Sequence, residues 1–187
     1  VGDLIVLVQD KGPDQVSAIG QITAVTATTT TVDVLKNGGT APTVDGDSDF
    51  VYLLDQSALS LGTMDISNIS QALIAWEVSI DNDTGYVVQV LEDGNFRSGS
   101  ALIADVTDGT VSVGADEYGA RSSDSTITNN TFDTADTAIT STFQDVANES
   151  TASFESRNFL TFKAAPSSSN TTGSYAHTIS FIASGNF

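Results

Sequence analysis

Short apolar runs alternate with turn clusters along the whole chain. Residues 4–9 (LIVLVQ) read as a buried strand, 16–25 (VSAIGQITAV) as a second and 30–35 (TTVDVL) as a third. Asp10-Lys11-Gly12-Pro13-Asp14 separates the first two, and Asn37-Gly38-Gly39 offers the positive φ angles of a tight turn. Gly20, inside the second run, predicts a bulge or bend. A fourth strand is read at 50–54 (FVYLL). Together these predict a small β meander or barrel over residues 1–58.

A mixed linker precedes a second unit over 70–187. In 71–80 (QALIAWEVSI), Ile74, Trp76, Val78 and Ile80 alternate with Leu73, Ala75, Glu77 and Ser79, a period of two that puts the larger apolar set on one face. Asp81-Asn82-Asp83-Thr84-Gly85 then turns the chain into 86–91 (YVVQVL), the clearest hairpin in the sequence. The runs 101–106 (ALIADV) and 110–113 (TVSV) continue the pattern. Residues 122–150 carry few sizeable apolar side chains and predict a long polar surface loop, with a short helix near 135–146. Order returns at 158–165 (NFLTFKAA), with Leu160, Phe162 and Ala164 on one face. The last strand is read at 175–183, with Tyr175, His177, Ile179 and Phe181 on one side. Turn spacing of roughly 8–12 residues predicts an all-β protein, an immunoglobulin-like or jelly-roll-type β-sandwich behind the small first unit.

Composition sharpens this picture. The 187 residues include 24 acidic and 6 basic side chains, a net charge of −18, with one His, one Trp and no Cys. So acidic a surface repels phosphate, which argues against nucleic acid as a partner. Thiol, disulfide and multi-histidine metal chemistry is excluded by count. No segment has the roughly 18 apolar residues of a membrane-spanning helix. A chain rich in Ser, Thr, Asp, Asn and Gly and poor in Lys fits an extracellular or cell-surface setting. Val1-Gly2-Asp3-Leu4 reads as entry to a strand, so processing or upstream sequence before Val1 is expected.

Three stretches carry a resemblance: AWEVSIDNDTGYVVQVLEDG, ALIADVTDGTVSVGADEYGARSS and NFLTFKAAPSSSNTTGSYAHTISFIASGNF. Thr84-Gly85-Tyr86, Glu117-Tyr118-Gly119 and the closing GSYAHTISFIASGNF are its most specific parts. Over about residues 70–187 the chain resembles C-terminal β-sandwich regions of secreted, mostly uncharacterised surface proteins of small-genome uncultivated bacteria. The resemblance implies export and a structural or adhesive role, and it brings no catalytic residues with it.

Candidate chemistry is sparse. Asp45, Asp47 and Asp49 have the spacing that opens an EF-hand loop, but Phe50 stands where that loop needs Gly and Gln56 where it needs Glu. A looser calcium site is the expectation there, at Asp81 and Asp83, or at Asp105 with Asp108; calcium is the one candidate cofactor. Glu77, Glu92 and Glu117 are the candidates for paired carboxylates, yet one Trp is thin provision for sugar stacking. His177 lacks a nucleophile elbow and reads as a strand histidine. No enzyme activity is expected. N-x-S/T occurs at Asn68, Asn82, Asn129, Asn148 and Asn170, candidate glycosylation sites.

The function expected is a structural subunit of an extracellular filament, pilus-like fibre or surface coat. Identical copies would form a homopolymer through sheet-edge contacts. The run 4–9 is expected to pair within its own unit, with a donor strand for such a contact as the alternative. The alternative is a surface adhesin or carbohydrate-binding module, with glycans or host and environmental surfaces as partners.

Overall fold

The computed structural model describes residues 1–10, 16–33, 36–37, 40–54 and 58–186. Among these the chain is all-β, built of antiparallel sheets consistent with a β-sandwich, and none closes into a barrel. The helix expected near 135–146 is not formed. Thr137 instead bridges to Ala120, and a strand begins at Gln144.

The first sheet contains β1 (Leu4–Gln9), β2 (Val16–Val25), β3 (Thr30–Val32), β4 (Lys36–Asn37) and β5 (Asp49–Leu53). Its order is β3-β2-β1-β5, with β4 also on β2. The run 4–9 pairs with β2 and β5 of its own chain, as its reading as a strand of its own unit has it, and the alternative of a donor strand falls away. Gly20 lies in regular pairing with Ile5; the irregularity of β2 falls between Ile22 and Ala24 instead. The turn at Lys11–Asp14, the end of the third predicted strand at Val34 and Leu35, and Gly38-Gly39 lie outside the described residues.

The second and third sheets carry the main core. One has the order β10-β12-β6, from β6 (Ser70–Ile80), β10 (Glu117–Ser122) and β12 (Ser153–Ala165). The other has the order β11-β7-β13, from β7 (Tyr86–Glu92), β11 (Gln144–Glu149) and β13 (Ile179–Gly185). A two-residue pair, β8 (Arg97–Ser98) and β9 (Ala101–Leu102), sits between them in sequence. The predicted run 101–106 therefore shrinks to β9 and a bridge at Asp105, and 110–113 is not a strand.

The predicted faces hold. Ile74, Trp76, Val78 and Ile80 join Leu160, Phe162 and Ala164 in one core with Tyr86, Val88 and Val90 of β7. The opposite faces of β6 and β12 are also covered: Leu73, Ala75 and Phe159 pack with Val6, Val8 and Ile19 of the first sheet. Two-sided burial explains why 157–162 reads as a nearly unbroken buried stretch.

The segment 122–150 is not a surface loop. Ile127, Phe132, Ile139, Val146 and Ala147 belong to the main core, and Ser122, Ser123 and Asp124 are buried. Its polar side chains take over the backbone groups that strand pairing would otherwise satisfy, so it packs tightly on few apolar residues.

Candidate functional site

The two sides of the sandwich are finished differently. On the β10/β11 side every strand edge is dressed. Ala120 and Thr137 exchange backbone hydrogen bonds, Ser122 N–H donates to the Phe132 carbonyl, and Tyr118 bonds the 104–106 segment. Asn148 N–H donates to Asp124 Oδ2, Ser122 Oγ–H to the Val146 carbonyl, and Asn130 Nδ2 to the Asp145 carbonyl. These contacts seal edges that would otherwise be sticky.

On the other side lie β6 and β13. Among the described residues β6 pairs only with β12, and β13 only with β7. Trp76 of β6 stacks obliquely on Phe181 of β13 at 5.6 Å, so the two strands lie together at this side. The indole N–H of Trp76 is buried there with no acceptor. The direction of the β13 backbone is fixed by its ends: Asp93 N–H donates to the Thr178 carbonyl, and Asn186 N–H donates to the Gly85 carbonyl. Even-numbered residues of β13 therefore address β7. Ile179, Phe181, Ala183 and Gly185 turn their N–H and C=O groups outward. None of the seven residues of β13 is ionisable, in a chain of net charge −18. Natural edge strands are usually protected by charge, proline or a bulge, and β13 has none of these.

A second feature sits where the chain enters β13. His177 is buried between β7 and β10, with Nδ1 3.1 Å from both Glu92 Oε2 and the Gly94 carbonyl and Nε2 2.8 Å from the Tyr118 hydroxyl. Both neighbours of Nδ1 are acceptors, so Nδ1 carries a proton. Phe96 stacks on Tyr118 at 5.0 Å and contacts the Tyr175 and His177 rings. Burial first, then the Glu92 and Asp105 charges, push the Tyr118 hydroxyl well above the usual tyrosine range, so it keeps its proton. Burial and the Glu92 charge likewise raise the Asp105 carboxyl. This network fastens 175–178 to the sandwich and forms part of the floor of a cavity of about 890 Å³, whose walls include Leu61, Met64, Tyr175 and Ile179. Sequence reading placed His177 on a strand face but missed its partners, because Glu92 and Tyr118 reach it only through the sheet pairing.

The carboxylate candidates do not converge. Glu77 pairs with Arg157, Glu92 faces His177, and Glu117 accepts the Ser112 N–H. Asp49 Oδ2 accepts the N–H groups of Asp45 and Gly46, and Asp45 Oδ1 accepts that of Asp47, so these acids cap their own turn. Asp81 and Asp83 are exposed in the β6–β7 turn. Among the described residues no group of three or more His, Asp or Glu side chains is placed to hold a metal ion.

The five asparagines differ. Asn68 and Asn129 are exposed. Asn148 is half-buried on β11, and the Asn82 amide donates to the Asn186 carbonyl. Asn170 Nδ2 donates to the Leu102 carbonyl and to Asp116, and its Oδ1 accepts the Ser167 N–H, so a glycan there would displace structural bonds.

No family model matches the chain, and neither the curated proteins nor the solved structures contain a match to it.

Proposed function

We propose that the chain is a structural subunit of an extracellular filament, pilus-like fibre or surface coat, assembling through sheet edges between identical copies. One observation carries this reading: among the described residues β13 is an edge strand that pairs only with β7 and carries no ionisable side chain, while backbone groups along the edges of β10 and β11 are bonded by the segments beside them. A strand edge with outward N–H and C=O groups is a template for another strand. In a molecule of charge −18, an uncharged strip is where two copies meet with least repulsion. The acidic, Lys-poor composition, rich in Ser, Thr, Asp, Asn and Gly, supports the extracellular setting. Electron microscopy of the purified chain at rising concentration tests the reading. Ordered polymers are expected, and particles of single-subunit size at every concentration would reject it.

The cavity beneath 175–178 favours a second reading, a carbohydrate-binding or adhesive module. Its lining joins the aromatic rings of Phe96, Tyr118 and Tyr175 to hydroxyl-bearing Thr171, Thr172 and Ser174. A glycan-array screen distinguishes the two: selective binding abolished by Tyr175→Ala favours the module, and no binding favours the structural role.

A further inference from the structure

Resting on the assembly reading, we infer that β13 pairs antiparallel with β13 of a second copy, about a two-fold axis through Ile182. The sequence of the strand, ISFIASG, complements itself in that register. Ile182 opposes Ile182. Phe181 opposes Ala183, and Ile179 opposes Gly185, so each large core-facing side chain meets a small one. Ser180 opposes Ser184 on the outer face, where two hydroxyls can bond across the strands.

The backbone agrees with the side chains. Odd-numbered residues of β13 point their N–H and C=O groups outward, as the Thr178 and Asn186 bonds to β7 require. In this register odd residues face odd residues, so the Phe181–Ala183 and Ile179–Gly185 pairs exchange N–H···O=C bonds. The pair at the axis is then a non-hydrogen-bonded one, with the two Ile182 backbones about 4.5 Å apart at Cα. The β11-β7-β13 sheet would run on through the axis into its copy as one six-stranded sheet; a two-fold contact closes at two copies, so this dimer is the repeating unit of the assembly and growth beyond it uses a further contact.

Charge selects a second copy as the occupant. No ionisable group lies in 179–185, so the strip offers nothing to attract a basic partner, and it is the place where another −18 chain is not repelled at contact. The other strand edges of five residues or more do not have this property: β5 carries Asp49, β6 Glu77, β10 Glu117 and Arg121, and β11 Asp145 and Glu149. Phe181 and Trp76, only partly buried in one chain, would be covered by the second.

The absence of cysteine makes the test clean. Ile182, 45 % exposed, is replaced in the Ile182→Cys variant, and the equally exposed Val113 in Val113→Cys as a collision control. A non-hydrogen-bonded antiparallel pair suits disulfide geometry. Under mild oxidation at micromolar protein the Ile182→Cys chain is expected to form a covalent dimer roughly a hundredfold faster than the control, reflecting the millimolar effective concentration of a preformed contact. Equal rates would overturn the β13 contact. If polymers still appear in the microscope in that case, the structural reading survives without it; if sedimentation finds only monomers, both fall.

Discussion

Arg157 Nη1 lies 2.6 Å from Asp33 Oδ1, and through this pair the first sheet is tied to the middle one. The same guanidinium holds Glu77 through Nε at 2.8 Å, and its side chain is only 4 % exposed. One buried cation thus joins the end of β3 to β6 and β12, beside the Val6–Phe159 cluster. The Asp33 carboxyl is held below its ordinary value of 3.8, first by its hydrogen bond from Arg157 and then by the Gln21 N–H. A carboxyl depressed by folding contributes stability that is full above its unfolded pKa and lost as pH falls through the lower folded value.

Arg157→Met is therefore expected to lower the melting temperature at pH 7 by about 5 °C. The loss should narrow as pH drops below 3.8, where wild-type Asp33 also surrenders its contribution. Differential scanning calorimetry across pH checks this. An unchanged gap from pH 7 to pH 3 would show that Arg157 acts through packing alone.

Asp105 works in the opposite sense. Its carboxyl is raised by burial and by Glu92, so its ionised form opposes folding. Stability from a raised acid is full below the unfolded pKa and lost as pH rises through the folded value. Asp105→Asn can still accept the Asn95 amide hydrogen bond and removes that cost. The variant is expected to melt above wild type at pH 7 and level with it at pH 3. A lower melting temperature at pH 7 would mean that the carboxylate balances His177.

Gly85 has a φ of +71° at the β6–β7 hairpin, and a Cβ there would overlap the Glu149 carbonyl. Gly85→Ala should destabilise by about 3 kcal/mol, a fall of about 10 °C. Gly46 has a φ of +90° with open space around it, and Gly46→Ala should cost only about 1 kcal/mol. Equal losses in urea melts of the two variants would count against the close approach at Gly85.

Long-range repulsion between chains of charge −18 is screened within about 10 Å at 0.1 M salt. Self-association should strengthen from 10 to 150 mM NaCl in light scattering. With Asp45 and Asp49 turned onto the backbone of their own turn, calcium should act no more strongly than magnesium at equal ionic strength. A calcium-specific rise would point to an ion site formed between copies.

Much of the fold was legible because period two is a direct physical signal. The strand limits 4–9 and 16–25 match β1 and β2, and the alternation through Ile74–Ile80 and Leu160–Ala164 separates two buried faces correctly. The middle of the chain was not legible. Tyr118, Gly119 and Ala120 of β10 sit among Glu117, Arg121 and Ser122, a polar stretch whose burial comes from what packs over it. Gly119 admits the Val106 side chain so closely that a Cβ would collide with it, a constraint invisible before the fold is known. The 122–150 segment misled for a related reason: Ser122, Asp124 and Asn130 bond backbone groups, and the few apolar side chains between them are buried in the main core. The candidate site was half visible. The closing ISFIAS run stood out as apolar, but its bare edge emerged only from the strand order.

The outward N–H of Ala183 gives the most direct test of the central claim. Proline at an edge position removes a donor that faces solvent and leaves the bonds to β7 in place. Sedimentation velocity should find wild type associating with rising concentration, and Ala183→Pro monomeric under the same conditions with an unchanged far-ultraviolet circular dichroism spectrum. Equal association of the two chains, or a wild type that stays monomeric throughout, would contradict assembly through β13.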